Sequence, residues 1–218
     1  MHQTHRDVHP TLGYIAIDVP ALCRTIADAP LPFTVLHEAI EAIGGHHFER
    51  DLIRTVRHVV GMPYRPNAAT CERPRTFDCS SLIKWTFAQV GIWLPRFTHL
   101  MVNHGEQCSR DDVQPGDLLF TPGSKPWRHA AYAEGIGHVA IVTVPGSCVH
   151  TDNTQTKRVV EVSIASLVHD IVAVRRIIPN PCYCTVVRLP RTLLHITTAE
   201  ELTACIRSEL QKHRHLRS

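Results

Sequence analysis

The residues whose types and setting could support nucleophilic chemistry are Cys79 and His138. In Phe77-Asp-Cys-Ser-Ser-Leu-Ile, Cys79 falls in the first turn of a predicted helix, for which Asp78 is the natural N-cap. Unpaired backbone amides and the helix dipole favour an anion there, so we expect a lowered thiol pKa and a thiolate nucleophile. The backbone N–H at such a position can also face a developing oxyanion. The alternative is that Cys79 only begins the buried stripe of this helix.

The candidate base is His138, which opens the apolar run His138–Val144 after Gly135 and Gly137. The glycines leave room around the imidazole, so a ring at the mouth of this strand can reach a thiol on an adjacent helix. Twelve residues later, His150 could hold that ring in one tautomer, the orienting role of a third catalytic residue. The competing explanation is that a chain with 16 His places some at strand ends by chance.

The register of the predicted hairpin decides whether His150 can act on His138. With a plain two-residue loop after Val144, alternation of side chains puts the two histidines on opposite faces of the sheet. A one-residue bulge or a three-residue loop restores a shared face. We therefore favour His150 as the third residue and keep Asp152 and Asn153 as alternatives.

Sequence patterns divide the chain into an N-terminal extension (1–47), a central domain (48–180) and a C-terminal extension (181–218). The N-terminal extension is a regulatory or docking segment, or an element that packs on the domain. The predicted elements of the two extensions are a strand at Tyr14–Ile17, helices near Ala21–Ala27 and Val35–Ile43, a strand at Thr185–Leu189, and a helix over Ala199–Lys212 with Thr198 and Glu201 in capping-box spacing.

Helix and strand patterns are densest in the central domain. Apolar residues four apart predict a helix over Phe48–Val60, and a second helix begins at Cys79. A helix group followed by several short strands indicates an α+β fold with a central antiparallel sheet. The predicted strands are Asp117–Phe120, His138–Val144, Ser147–His150, Val159–Val162 and Val172–Ile178.

Four segments of the central domain together resemble the NlpC family of papain-like cysteine peptidases, bacterial enzymes of cell-wall peptide cleavage. They occur in the family's order over about residues 48–178: Phe77-Asp-Cys-Ser-Ser-Leu-Ile, Val113-Gln-Pro-Gly-Asp-Leu-Leu-Phe, Gly137-His-Val-Ala-Ile-Val and Val149-His150. The resemblance implies a papain-like fold, with N-terminal helices packed on a central antiparallel sheet and the nucleophile at a helix N-terminus. It also implies Cys79 as nucleophile, His138 as general base and His150 as its orienting partner.

The resemblance also implies groups that contact the substrate. Tyr64 matches a family tyrosine that helps to bind the oxyanion, and Asp78 and Ser80 flank the nucleophile. The alternative for Tyr64 is a loop tyrosine packed under the helix. The segment from Ser124 to Glu134 is an unusually long insertion, and with Trp127, Arg128 and Tyr132 it could overhang the cleft and bind an acidic peptide, or only decorate the surface.

Composition excludes several classes of protein. With 218 residues, 44% hydrophobic and 20% charged, the chain is typical of a globular protein, and its net charge of +3 does not indicate a nucleic-acid partner. No apolar run approaches the roughly 18 residues of a membrane span. The N-terminus lacks the basic start and apolar core of a secretion signal. We therefore expect a cytoplasmic protein or one exported by a non-classical route.

The eight Cys and 16 His raise the alternative of a metal-binding module. However, the chain contains no Cys-x-x-Cys, and its closest pair, Cys182-x-Cys184, has poor spacing for zinc. We expect no metal and no other cofactor, and most cysteines to be reduced core residues.

The function favoured by these residues and by the resemblance is hydrolysis of amide bonds in peptidoglycan stem or cross-link peptides through a thioester acyl-enzyme. One alternative is an amidase or acyltransferase of the same superfamily acting on another substrate. Its lipid-acting members usually place the His before the Cys, the opposite of the order here. Another is a non-catalytic module that binds metal through Cys and His. An exported wall-degrading effector would also have an immunity or carrier protein as partner.

Overall fold

The computed structural model describes residues 14–17, 32–69, 74–182, 184–196 and 198–215. Its strands are β1 Tyr14–Ile17, β2 His46–Arg50, β3 Glu106–Gln107, β4 Leu118–Thr121, β5 Trp127–His129, β6 Tyr132–Ile136, β7 His138–Val144, β8 Ser147–Asp152, β9 Arg158–Ser163, β10 Ala173–Arg176 and β11 Cys184–Arg188. Its α-helices are α1 Phe33–Ala42, α2 Leu52–Arg57, α3 Cys79–Ala88, α4 Thr98–Met101 and α5 Ala199–His215.

The chain forms two compact units. One, the site unit, comprises Asp51–Ala88 and Leu94–Cys182. The other, the terminal unit, comprises the described residues within Met1–Arg50, Gln89–Trp93 and Tyr183–Ser218. In the described parts of the chain, no helix is long and apolar enough to cross a membrane.

The site unit is built on a six-stranded sheet in the order β3-β10-β4-β7-β8-β9, in which every neighbouring pair is antiparallel. Helix α3 packs against β7 and β8. The buried side chains Leu82, Ile83 and Phe87 explain this packing, because they recur along one side of the helix. The hairpin β5–β6 leaves the sheet between β4 and β7. This arrangement of helices and an antiparallel sheet is the predicted α+β fold.

The terminal unit joins segments from both ends of the sequence. Strand β11 lies between β1 and β2 in an antiparallel sheet. Helix α5 begins where Thr198 Oγ1 accepts the backbone N–H of Glu201 at 3.1 Å, which confirms the N-cap that the spacing predicts. The core of this unit is aliphatic and consists of Ile15, Ile17, Leu36, Ala39, Ile40, Val187, Leu189, Ile196, Leu202 and Ile206.

One predicted helix is wrong over part of its length. Within the predicted helix Phe48–Val60, the first residues belong to strand β2, which pairs with β11. The helix begins only at Leu52, where the Asp51 carboxylate accepts the backbone N–H of Arg54 at 2.9 Å. Apolar residues do recur every four positions in this segment. Its first residues nevertheless form a strand, because they pair with β11, which is distant in sequence. The helix predicted near Ala21–Ala27 lies outside the described residues.

Candidate active site

A reciprocal cap fixes the start of α3 and thereby the position of Cys79. The Asp78 carboxylate accepts the backbone N–H of Ser81 at 2.8 Å, and the Ser81 hydroxyl accepts the backbone N–H of Asp78 at 2.9 Å. This pair satisfies two amides at the start of the helix and confirms the predicted N-cap. It holds Cys79 in the first turn, in the wall of a cleft of about 1030 Å³.

The sulfur of Cys79 lies against the backbone on both sides of His138. Its Sγ is 3.9 Å from the carbonyl oxygen of Gly137, and the backbone N–H of Val139 also interacts with it. Both Cys79 and His138 line the cleft. Folding therefore brings the predicted nucleophile and the predicted base to one place, where the helix start meets the start of β7.

The register of the β7–β8 hairpin contains the shift that the predicted His150 role requires. Val144 pairs with Ser147, whereas Val142 pairs with Cys148, so β7 has one extra residue at this point. Beyond the bulge His138 and His150 share a face of the sheet. His138 Nε2 and His150 Nδ1 lie 3.0 Å apart, within hydrogen-bonding distance.

The two alternative third residues are engaged elsewhere. The Asp152 carboxylate accepts the backbone N–H groups of Thr154 at 2.8 Å and of Thr156 at 2.6 Å, using a different oxygen for each. These backbone hydrogen bonds close the turn after β8 and lower the pKa of Asp152 strongly. The Asn153 amide lies 3.5 Å from the hydroxyl of Ser124. Of the three residues considered, His150 is the one bonded to His138.

The charge state of the site differs from the sequence-based expectation of a lowered thiol pKa. Burial raises the pKa of the Cys79 thiol to about 11, the Asp78 carboxylate acts in the same direction, and the amides of Ser80 and Val139 oppose them more weakly. One pKa unit corresponds to about 1.4 kcal/mol, whereas a helix dipole contributes about 0.3–1 kcal/mol at an exposed end. The dipole is therefore too weak to offset desolvation, and the expectation was wrong.

Burial also determines the protonation of the two histidines. It lowers the pKa of His138 to about 3, and the neighbouring His150 acts in the same direction. Burial likewise lowers the pKa of His150, against a weaker opposing effect of Asp152. At neutral pH the site consequently holds a neutral thiol beside a neutral imidazole.

Backbone pairing places Tyr64 next to the helix start. Tyr64 forms a parallel bridge with Phe77, and its N–H donates to the carbonyl of Lys157 at 2.8 Å. Burial raises the pKa of the Tyr64 phenol, and negative charge on Cys79 or Asp78 acts in the same direction. The phenol is thus protonated at neutral pH, lines the cleft and can donate a hydrogen bond.

Two glycines allow the loop after β4 to approach His138 closely. A Cβ atom at Gly137 would lie 2.2 Å from the carbonyl oxygen of Pro122 and 2.7 Å from that of Lys125. At Gly123, where φ is +60°, a Cβ atom would lie 3.0 Å from the Cβ of His138. Any other residue at Gly137 would push this loop away from the site.

Of the three insertion side chains predicted to overhang the cleft, Trp127 lines it and the other two do not. Trp127 lines the cleft, whereas the neighbouring Arg128 is exposed and is absent from the described residues that line it. The Tyr132 hydroxyl accepts a hydrogen bond from Arg175 at 3.0 Å. The expectation that Arg128 and Tyr132 join Trp127 over the cleft is therefore corrected. Side chains alternate along β5, which separates Arg128 from Trp127, and the Tyr132 hydroxyl is held by Arg175.

Arg96 is a cleft residue that the sequence patterns did not single out. Its guanidinium forms an ion pair with the Asp78 carboxylate and donates to the Ser80 hydroxyl at 2.6 Å. The two carboxylate oxygens and the hydroxyl are thereby tied to one planar donor group. Arg96 is far from Asp78 in sequence and follows Pro95 in a loop, so no helical or strand periodicity could have revealed this contact.

Among the described residues, no cluster of three or more His, Cys, Asp or Glu side chains could hold a metal ion.

Comparisons with known proteins identify the family of the chain. Residues 61–176, more than half of the chain, match the NlpC/P60 family. A probable endopeptidase of Corynebacterium glutamicum is 26% identical over 138 residues, which cover 63% of this chain and 59% of that protein. Another, from strain R of the same species, is 30% identical over 105 residues, covering 48% of this chain and 43% of that protein. The chain thus spans about half the length of these curated relatives.

A solved structure shows the same fold. An NlpC/P60 family protein from Bacillus cereus superposes with a TM-score of 0.50 at 24% identity, covering 59% of this chain and 40% of that protein. The family match over more than half of the chain establishes the class, and the antiparallel sheet is consistent with it. The chain belongs to the NlpC/P60 family.

Proposed function

We propose that the protein is a cysteine endopeptidase that hydrolyses amide bonds in the stem or cross-link peptides of peptidoglycan. The observation that carries the proposal is the position of the Cys79 sulfur, against the backbone on both sides of His138, whose ring bonds to His150. The relatives named as probable endopeptidases support the reaction class. Other superfamily amidases and acyltransferases remain as alternatives that the product analysis below separates.

The hydrogen bond between the histidines suggests which nitrogen accepts the thiol proton. If His138 Nε2–H donates to His150 Nδ1, the lone pair on His138 Nδ1 is free to act as base. Because the resting thiol and imidazole are both neutral, the proton moves from Sγ to Nδ1 as the sulfur attacks the substrate carbonyl. His138 thus acts as a general base rather than as one half of a permanent ion pair.

The remaining steps follow from the same groups. Attack of the sulfur on the carbonyl gives a tetrahedral oxyanion, and its collapse breaks the C–N bond and forms a thioester. The imidazolium returns its proton to the departing amine. Water then attacks the thioester, with His138 again accepting a proton, and releases the acid and the free thiol.

Two hydrogen-bond donors are available for the oxyanion. The backbone N–H of Cys79 lies in the first turn of α3, where amides have no intrahelical acceptor, and the protonated Tyr64 phenol lies in the same cleft. Asp78 and Ser80 act at a distance from the oxyanion: their contacts with Arg96 fix the wall of the cleft beside the nucleophile.

The proposal is tested by digesting peptidoglycan and identifying the products by mass spectrometry. We expect the wild-type protein to release new amines at one peptide bond, and Cys79→Ala to release none. Cys182→Ala is the matched control, because Cys182 is an exposed thiol outside the cleft. Retained cleavage by Cys79→Ala would remove the thiol mechanism. Stoichiometric zinc, together with no effect of Cys79→Ala on binding, would instead indicate a metal-binding module.

A further inference from the structure

Helix α4 and the β5–β6 hairpin bring three aromatic rings together at one edge of the cleft. Phe97 stacks on His99, with ring centroids 5.8 Å apart and 18° between the ring planes. The ring of Trp127 lies 5.2 Å from that of His99 and 6.4 Å from that of Phe97. We call Phe97, His99 and Trp127 the aromatic platform.

Two rings of the aromatic platform, those of Phe97 and Trp127, are exposed although they are largely apolar, whereas His99 is half-buried. Trp127 is 57% exposed, Phe97 is 48% exposed, and the adjacent Leu100 is 45% exposed. A cluster of large apolar side chains left in water typically marks a binding surface, because such groups add little to the core. Phe97 and Trp127 also line the cleft that holds Cys79. The platform is therefore continuous with the proposed peptide site.

The aromatic platform carries no net charge at neutral pH. Burial lowers the pKa of His99, and the nearby His129 acts in the same direction, so the central imidazole is neutral. The Arg96 guanidinium lies 5.9 Å from the centre of the Phe97 ring, but Asp78 neutralises it. An anionic ligand group would therefore gain no attraction from a positive charge on the platform.

Hydrogen-bonding groups border the platform. His129 donates from Nε2 to the Asn103 side-chain oxygen at 3.2 Å, next to the aromatic rings. On the cleft side, the chain runs back from Trp127 to Lys125, whose carbonyl oxygen lies against Gly137 beside the Cys79 sulfur. Two residues of backbone span at most about 7 Å. The platform therefore begins close to the bond that would be cleaved.

We propose that the aromatic platform binds a sugar ring of the glycan to which the peptide substrate is attached. This inference rests on the proposed endopeptidase function and makes glycan-linked peptides the preferred substrate. A pyranose ring presents C–H groups on its faces and hydroxyls around its edge. That pattern matches neutral aromatic faces bordered by polar groups, whereas a carboxylate-rich peptide segment does not.

The inference is tested with two substrates, a disaccharide-linked stem peptide and the same peptide without sugar. We expect the wild-type kcat/KM to be about tenfold higher for the sugar-linked form, in line with the roughly 1.4 kcal/mol that one aromatic contact contributes. Trp127→Ala should bring the ratio of the two values close to one. Trp127→Phe, which keeps an aromatic face, should retain most of the preference. The matched control is Val144→Ala, an exposed apolar residue outside the cleft, which should leave the ratio unchanged.

The possible outcomes distinguish failure of the sugar site from failure of the proposed endopeptidase function. Equal wild-type values for the two substrates would overturn the sugar site and leave the endopeptidase function standing. An equal loss on both substrates in Trp127→Ala would also overturn it, because the platform would then contact the peptide. If the wild-type protein cleaves neither substrate, the proposed function itself fails. Because Trp127 is exposed, the variant should fold, and circular dichroism provides the check.

Discussion

The site unit and the terminal unit differ in what they bury. Among the described residues, the one buried polar side chain of the terminal unit is Thr185, which donates a hydrogen bond to Glu49 at 2.6 Å. The site unit buries ten polar or charged residues: Asp78, Ser80, Ser81, Lys84, Thr86, Thr98, Asp117, Thr121, Thr143 and Thr151.

Half of those ten residues line the cleft: Asp78, Ser80, Thr98, Thr121 and Thr151. A buried polar group destabilises a fold unless it is hydrogen-bonded, so stability alone would favour apolar residues at these positions. Thr151 even keeps a buried hydroxyl without a partner in the described structure. The difference indicates that the terminal unit is organised for stability, whereas the site unit gives up some stability to keep polar groups around the cleft.

The largest expected effect is a loss of activity on substitution of a histidine in the site unit. His138→Ala should lower kcat/KM on a peptide substrate by about 10²–10⁴-fold, because it removes the proposed general base. Steady-state kinetics on the purified variant measures this. His58→Ala, an exposed histidine of the same unit, should have no effect. A fall of less than tenfold in His138→Ala would show that another group accepts the proton.

A core substitution in the terminal unit tests whether this unit contributes to stability rather than to activity. Leu202 is fully buried in the aliphatic core, so Leu202→Ala should lower the free energy of unfolding by about 2–5 kcal/mol. Urea denaturation measures this. Val168→Ala, which truncates an exposed apolar residue, should change it by less than about 0.5 kcal/mol. Loss of peptidase activity in folded Leu202→Ala would contradict the statement that the terminal unit is organised for stability, since this unit would then contribute to the reaction.

The alkylation rate of Cys79 reports the charge state of the site. With the thiol pKa raised from 9 to about 11, the thiolate fraction at pH 7 should be about a hundredfold smaller than for an ordinary cysteine. The rate with iodoacetamide should increase about tenfold per pH unit up to pH 11. Mass spectrometry can follow Cys79 and the exposed Cys182 in the same sample. Faster labelling of Cys79 at pH 6 would instead indicate an ion-paired thiolate.

The smallest expected effect concerns the ion pair of Arg96 and Asp78. Arg96→Met leaves a carboxylate that is mostly buried without its partner, so we expect a loss of about 1–3 kcal/mol in unfolding free energy. The matched control is Arg57→Met, because Arg57 pairs with Glu161 at a more exposed position and should cost less than about 1 kcal/mol. Thermal denaturation of both variants measures the difference. Equal losses would show that burial does not distinguish the two pairs.

Local patterns predicted the elements around the site well. Strand β7 and the helix start at Cys79 lie where the apolar runs and the Asp78 cap indicate. The hairpin bulge is one of the two arrangements that a role for His150 requires, because a plain two-residue loop puts His138 and His150 on opposite faces. Each of these features depends on residues close together in sequence.

Other features depended on contacts that no local pattern encodes. Phe48 lies in a strand rather than a helix because it pairs with Val186 of β11. Arg96 reaches Asp78 only after the loop behind α3 folds back on the helix start. The pairing of Phe97 with Trp127 likewise requires α4 and the β5–β6 hairpin to meet. Each of these three contacts joins residues that are distant in sequence, so local patterns could not predict it.

The sequence by itself determined the helix start at Cys79, the antiparallel strands after it and the candidate roles of Cys79 and His138. Alternation, capping and apolar spacing act over a few residues, so they can be read directly from the chain. Only the tertiary structure decided the protonation of the site and the composition of the cleft wall. Desolvation depends on every atom packed around a group, and those atoms come from segments far apart in sequence.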